Sequence, residues 1–466
     1  MEFQQFYLSC LAHASYLIGS DGIAAVVDPQ RDVDIYLKEA ARRSLRIQHI
    51  IETHLHADFV SGHVELARRT GAKIYLGAQA GATFPHVAVK DGDEIRIGRA
   101  VLRFLETPGH TVESVCVLVT DLERSEKPWA ALTGDTLFIG DVGRPDLSPA
   151  HTPQQLAALL YDSLHGKLLT LPDDVLVYPA HGAGSLCGRQ MSTDLSSTIG
   201  LQRKLNYALR TDSKEEFVRL LTEDLPERPG YFLRDAAINR SGAPALSDLP
   251  PLPGLSPAAF DAQRSEGRIV LDTRPAAKYL PAHIPGSVQI ALGGQFASWA
   301  GALLGVDARL LLVAEDFAAV AETRTRLARV GIEKLEGYLE GGILAWQKAG
   351  RPLETIPEIS VEELHQKMRG GEDLQVLDVR RQGEWDSGHI AGAVLQPLNN
   401  LEKNLGGLDR ARPLAVQCQG GYRSAIAASL LRRAGFRNIV NIAGGFSAWS
   451  ACKLPVATAS NAPAGH

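Results

Sequence analysis

The chain has 466 residues, 45% hydrophobic and 22% charged, with 48 basic against 53 acidic side chains and a formal net charge of −5. That length exceeds one ordinary core and predicts roughly two to four domains, while the average composition excludes a fibrous or disordered protein. With no long basic block and no apolar run of membrane-spanning length, no nucleic acid and no membrane is expected as a partner, which leaves small molecules.

The start, MEFQQFYLSCLAHASYLIG, lacks the charged, apolar and cleavage segments of a signal peptide in order, so a cytoplasmic location is expected. Strand-length apolar runs ending in polar turns then recur: ASYLIG, IAAVVDP, IQHIIETH, AKIYLG, VLRFLETPGH, VCVLVTD, AALTGD and VLVYPAHG. Helical patterns such as VDIYLKEAARRSL and GHVELARRT fall between some of them, predicting an α/β sheet protein with functional loops at strand ends. From about 190 to 240 the pattern turns helical and polar, and SGAPALSDLPPLPGLSP, 241–257, predicts a proline-rich linker. Beyond it the chain repeats itself. RIVLDTRPAAKYLPAHIPGSVQI (268–290) matches LQVLDVRRQGEWDSGHIAGAVLQ (374–396), with Asp272 and His283 each 106 residues before Asp378 and His389. EGGILAW (340–346) likewise matches AGGFSAW (443–449). The expected domains are 1–245, 246–355 and 356–466; the tail ATASNAPAGH, 457–466, is expected to lack order, and a homo-oligomer is expected.

Metal chemistry is concentrated in ETHLHADFVSGH, 52–63, where His54, His56 and Asp58 alternate so that their side chains can converge. Strand-end loops add His110 in TPGHT, Asp135 in TGDTLF and His181 in YPAHGAGS, and Asp28, closing AVVDP, supports them from behind. Singly, each histidine reads as a satisfied core or surface residue; together they read as a metal cleft.

The motifs HxHxD, TPGH, GD and PAHG, in this order over about residues 1–240, resemble the metallo-β-lactamase superfamily, which implies an αββα sandwich. In its two-metal members, such as glyoxalase II, the first motif continues as HxHxDH and the last histidine serves the second metal. Phe59 occupies that position here, which favours a single metal. His63 lies four positions further on, at the predicted start of a helix, and is not expected to replace it. Two histidines and one aspartate with open positions suit non-haem Fe(II) and oxygen, so His54, His110 and Asp135 are the candidate ligands of one Fe(II) per chain.

With GDVGRPDL, 140–147, the first half further resembles the persulfide dioxygenases. That resemblance implies the same iron triad, with His56, Asp58 and His181 lining the site, although those relatives often keep the histidine that Phe59 replaces. It also implies a low-molecular-weight thiol persulfide, glutathione persulfide for example, reacting with O2 and water to give sulfite and the free thiol. Arg144 either holds an anionic group of the substrate or pairs with Asp146 or Asp58. Cys187, in HGAGSLCG, either takes up sulfane sulfur near the iron or packs beneath its loop; Cys10 and Cys116 read as core. Five cysteines in all, the fifth being Cys452, contain no CxxC pair.

PLAVQCQGGYRSAIAASLLRRAG, 413–435, reads as a strand, a tight loop beginning at Cys418, and a helix. Gly420 and Gly421 free the backbone to curl around the sulfur, helix N-terminal amides favour a thiolate, and Arg423 adds charge for an anionic donor or acceptor. With LDVR, the GHI turn and GGFSAW, residues 357–455 resemble a rhodanese domain. This implies that Cys418 bears the sulfur and that Gln419, Gly420, Gly421, Tyr422, Arg423 and Ser424 cradle it. Counting back from the paired glycines puts Glu315 at the corresponding place in the first copy. That copy is therefore expected to be an inactive rhodanese-like α/β domain, with Asp272, His283 and Trp346 as framework and a docking or spacing role. The joint expectation is sulfide detoxification in which Cys418 persulfide and sulfite give thiosulfate. The alternatives are a glyoxalase-II-like Zn²⁺ thioester hydrolase and a persulfide carrier or scaffold.

Overall fold

The apolar runs of the first half form two six-stranded sheets in a computed structural model that describes residues 1–458 apart from 212, 224 and 226. Glu2–Leu8, His13–Ser20, Ile23–Val27, Arg46–Ile51, Lys73–Gly77 and Val87–Val89 make the first sheet in chain order, antiparallel over its first three strands and parallel thereafter. Glu94–Ile97, Ala100–Glu106, Val115–Asp121, Ala130–Gly134, Leu176–Pro179 and Ser197–Thr198 make the second. Its one parallel pair, Ala130–Gly134 with Leu176–Pro179, needs a crossover, which contains the helix Pro153–Gly166.

The two sheets face each other across a shared core in which Tyr16, Val27 and Ile51 pack with Phe104, Val117 and Leu132. On its outer face the first sheet buries Leu17, Val26 and Ile50 against Tyr36 and Ala40 of the helix Asp34–Arg42 and Leu66 of His63–Thr70. The second buries Leu118 and Val177 against Leu160 and Leu164 of Pro153–Gly166. A strand covered on both faces has no solvated side, which is why all of His13–Ser20 is buried. Helix, sheet, sheet, helix is the αββα order. All four ligand-bearing loops leave strand ends of this sandwich.

Residues 1–250 with 325–333 form one compact unit, and 251–324 with 334–466 form a second that holds both repeats. Each repeat is a five-stranded sheet with the same strand order and parallel pairing throughout. The framework is duplicated to the atom. Asp272 pairs with Arg274 at 2.6 Å as Asp378 pairs with Arg380 at 2.7 Å, and the buried Trp346 and Trp449 each donate Nε1 to a proline carbonyl at 2.9 Å. The predicted linker spans the change of unit and contributes the strand Gly254–Leu255. In the tail, Ala457 pairs with His389 in a short antiparallel ladder, so order extends further than expected; residues 459–466 lie outside the described ones. Among the described residues no helix is long and apolar enough to cross a membrane.

Candidate active sites

Asp28 ends the strand Ile23–Val27 with a φ of +50° and turns its carboxylate toward the next strand end. There it accepts the Thr53 backbone N–H at 2.7 Å and the Thr53 hydroxyl at 2.9 Å. With its proton given to Asp28, the Thr53 oxygen accepts from His54 Nδ1 at 3.0 Å. His110 Nδ1 likewise donates to the Arg144 carbonyl at 3.0 Å. A ring nitrogen that donates leaves the opposite nitrogen with a bare lone pair, so both rings present Nε2.

Those two Nε2 atoms point at Asp135, 3.8 Å away from His54 and 3.3 Å from His110. Both nitrogens and both Asp135 oxygens are buried without a hydrogen-bond partner. Burial depresses the pKa of His54 well below the usual histidine value and lowers that of His110, so the rings are neutral near pH 7. Buried lone pairs left unmatched cost on the order of 1–3 kcal/mol each, unless a cation takes them. His54, His110 and Asp135 each offer a donor atom, all within 4.8 Å of one another, and this donor set fits one metal ion.

The remaining predicted residues line the same cleft. His56 Nε2 lies 3.1 Å from Asp28 Oδ1, and His181 Nε2 lies 3.4 Å from Asp58 Oδ2 and 3.7 Å from Asp135 Oδ1. Burial works against a charge on His181, but Asp135 and Asp58 outweigh it and raise its pKa to about 9. Cys187 joins Asp135 and His181 in a cluster of donors; burial, then Asp58 and Asp135, keep its thiol protonated. Phe59 is wholly buried, its ring 4.0 Å from that of His13 and 4.4 Å from that of His56. His63 faces Glu52 at 3.5 Å and Phe84, and joins none of the donor clusters found among the described residues. Of the two readings of Arg144, the structure shows the ion pair: its guanidinium grips Asp146 at 2.6 and 2.9 Å and donates to the Leu186 carbonyl at 3.2 Å. Cys10 and Cys116 are buried, as packing residues would be. Sequence reasoning missed His13 and Glu52, both buried against the metal cleft.

In the second repeat, Cys418 follows the strand Leu414–Gln417 and precedes the helix Tyr422–Arg433. Gly421, at φ +99°, turns its N–H onto Cys418 Sγ at 3.1 Å, a conformation that favours glycine. Ser424 braces the loop by donating to the Gly421 carbonyl at 3.1 Å, and the Gln419 side chain is tied to Arg380 and Ser447. Gly420, Tyr422 and Arg423 line the pocket over the sulfur. Arg423 also holds an ion pair. Both of its terminal nitrogens meet Glu384 at 2.7 Å, so its charge is already balanced.

The count that placed Glu315 opposite Cys418 is also corrected. Asp272 pairs with Val313 as Asp378 pairs with Gln417, so the residue after each strand, Ala314 and Cys418, is the equivalent pair. A Cβ on Gly342 would touch the Ala314 carbonyl just as one on Gly445 would touch that of Cys418. The first repeat still lacks a nucleophile, and Glu315 pairs with Lys278.

The metallo-β-lactamase superfamily profile matches residues 8–181, and the rhodanese-like domain profile matches 256–349 and again 360–452. The mitochondrial persulfide dioxygenase ETHE1 of Homo sapiens is 34% identical over 215 residues, covering 44% of this chain and 75% of that protein. A hydroxyacylglutathione hydrolase of Francisella tularensis subsp. novicida is 34% identical over 183 residues, covering 39% of this chain and 68% of its own. Among solved structures, a metallo-beta-lactamase from Staphylococcus aureus subsp. aureus COL matches with a TM-score of 0.65 and 32% identity, over 73% of this chain and 98% of that one.

Proposed function

Because the chain belongs to the metallo-β-lactamase superfamily, as a relative of the persulfide dioxygenases with two rhodanese-like domains behind its sandwich, we propose that it is an iron-dependent persulfide dioxygenase joined to a sulfurtransferase. The observation that carries this reading is the convergence of three buried, unmatched donors, His54, His110 and Asp135, beside a hydrocarbon ring at Phe59. One ferrous ion held by that triad would supply the redox chemistry that joins O2 to a persulfide sulfur.

This chain's own residues set the stage. Thr53 and the Arg144 carbonyl fix the planes of the two ligand rings. His181, held between Asp58 and Asp135, offers a positive N–H to an anionic sulfur, while His56, anchored on Asp28, orients water or substrate. Net, a thiol persulfide, O2 and water become sulfite and the free thiol. Sulfite then takes the sulfane sulfur of Cys418 to give thiosulfate, and the departing thiolate is met by the Gly421 N–H.

Iron-loaded protein should hold one iron per chain and consume O2 on addition of glutathione persulfide. His110→Ala should abolish uptake, and Cys418→Ser should leave it. Two zinc ions per chain with hydrolysis of a glutathione thioester would establish the hydrolase instead, a reading for which Asp58, His181 and Cys187 provide further donors near Asp135.

A further inference from the structure

Over the Cys418 loop lies a pocket of about 380 Å³ whose walls come from both repeats. Cys418, Gly420 and Arg381 stand on one side; Gln295 and Trp299, from the repeat without a nucleophile, stand on the other. The two walls are fixed to each other by hydrogen bonds. Tyr422 donates its hydroxyl to the Ala291 carbonyl at 2.9 Å, and Gln289 donates its backbone N–H to the buried Ser429 hydroxyl at 3.0 Å.

The pocket is too large for its smallest acceptors. Its volume corresponds to roughly a dozen water molecules, where sulfite would displace only a few, and it falls within the range of sites for small organic molecules. Its charge is also asymmetric. Arg423 is matched by Glu384 and Arg380 by Asp378, whereas the Arg381 guanidinium enters no salt bridge among the described residues. Trp299, half-buried, offers a flat apolar face, and Gln295 an amide.

We propose that the repeat without a nucleophile completes the sulfur-transfer site of the other. Trp299 and Gln295 bind the body of a carboxylated low-molecular-weight thiol, Arg381 binds its carboxylate, and its sulfur faces Cys418. This rests on the reading of Cys418 as the sulfur carrier and is independent of the iron centre. In the transfer, the thiolate RS⁻ attacks the outer sulfur of Cys418–S–SH. A new RS–S bond forms, the Sγ–S bond breaks with its electron pair going to Sγ, and RS–SH leaves with the proton already on the outer sulfur. The reverse reaction loads Cys418.

The test uses full-length protein charged with thiosulfate, comparing glutathione with cyanide as acceptors. Trp299→Ala and Arg381→Ala should each lower the ratio of kcat/KM for glutathione to that for cyanide by roughly tenfold, and Trp299→Phe and Arg381→Lys should recover most of it. A ratio unchanged in both alanine variants, whether absolute rates hold or collapse, overturns the inference alone. No transfer to either acceptor by the wild type overturns the carrier reading, and the inference with it.

Discussion

The Phe59 ring fills the space between His13 and His56 with carbon, and Asp58 and His181 stand 3.4 Å apart beside it. Phe59→His puts a lone pair back next to those two donors. Bound metal should rise from one toward two per chain and O2 uptake should fall, as metal analysis alongside an oxygen electrode would read. His63 faces Glu52, whose other oxygen lies near His56. Burial, with His56 and Arg31 nearby, holds its pKa down to about 3 against 6.5 for a free histidine. The unfolded chain takes up a proton that the fold refuses, so this contribution to stability is complete above pH 6.5 and is lost as pH falls toward 3. The slope is at most about 1.4 kcal/mol per pH unit. Denaturant titrations at pH 7 and pH 5 should show His63→Leu losing about 2 kcal/mol less on acidification than the wild type. The ligand-type residues were legible because alternation and strand-end position are local properties of a sequence. His13 was not, since the contacts that bring it to the cleft, with Phe59, His56 and His181, join residues far apart in the chain.

The elements that carry Asp135 and His110 leave little room around them. After the strand Ala130–Gly134 the chain returns at Gly143, where a Cβ would lie 2.0 Å from the Asp135 carbonyl oxygen and 2.8 Å from His110 Nδ1. Gly143→Ala must move one ligand or the loop that orients the other, whose carbonyl at Arg144 is the next residue. Iron affinity should fall roughly 10- to 100-fold, measured by competition with a chelator, while the circular dichroism of the sandwich is retained. At this scale the strands and the repeat were readable from periodicity, but the partner of Cys418 was not. The spacing between the front and rear motifs differs between the copies, and only strand pairing shows that the difference is divided between the two sides of Cys418.

Across the whole molecule, the proposed oxidising centre and the proposed sulfur carrier occupy separate units of one chain. Their products should therefore be separable by mutation. Cys418→Ser should consume O2 at the wild-type rate and release sulfite where the wild type releases thiosulfate, as ion chromatography would distinguish; thiosulfate from the variant would place the transfer elsewhere. The modules were legible from their motifs. The wall made by Gln295 and Trp299 was not, because neither residue belongs to a motif and only tertiary packing brings them over the second copy.

One consequence of the Asp28, Thr53 and His54 chain concerns the apoprotein. Each candidate ligand ring already carries its single proton on Nδ1 and holds Nε2 ready, His54 through Thr53 and His110 through the Arg144 carbonyl. An arriving cation therefore displaces no proton from either imidazole. Loading near neutrality is insensitive, at these two rings, to the acidity of the surroundings.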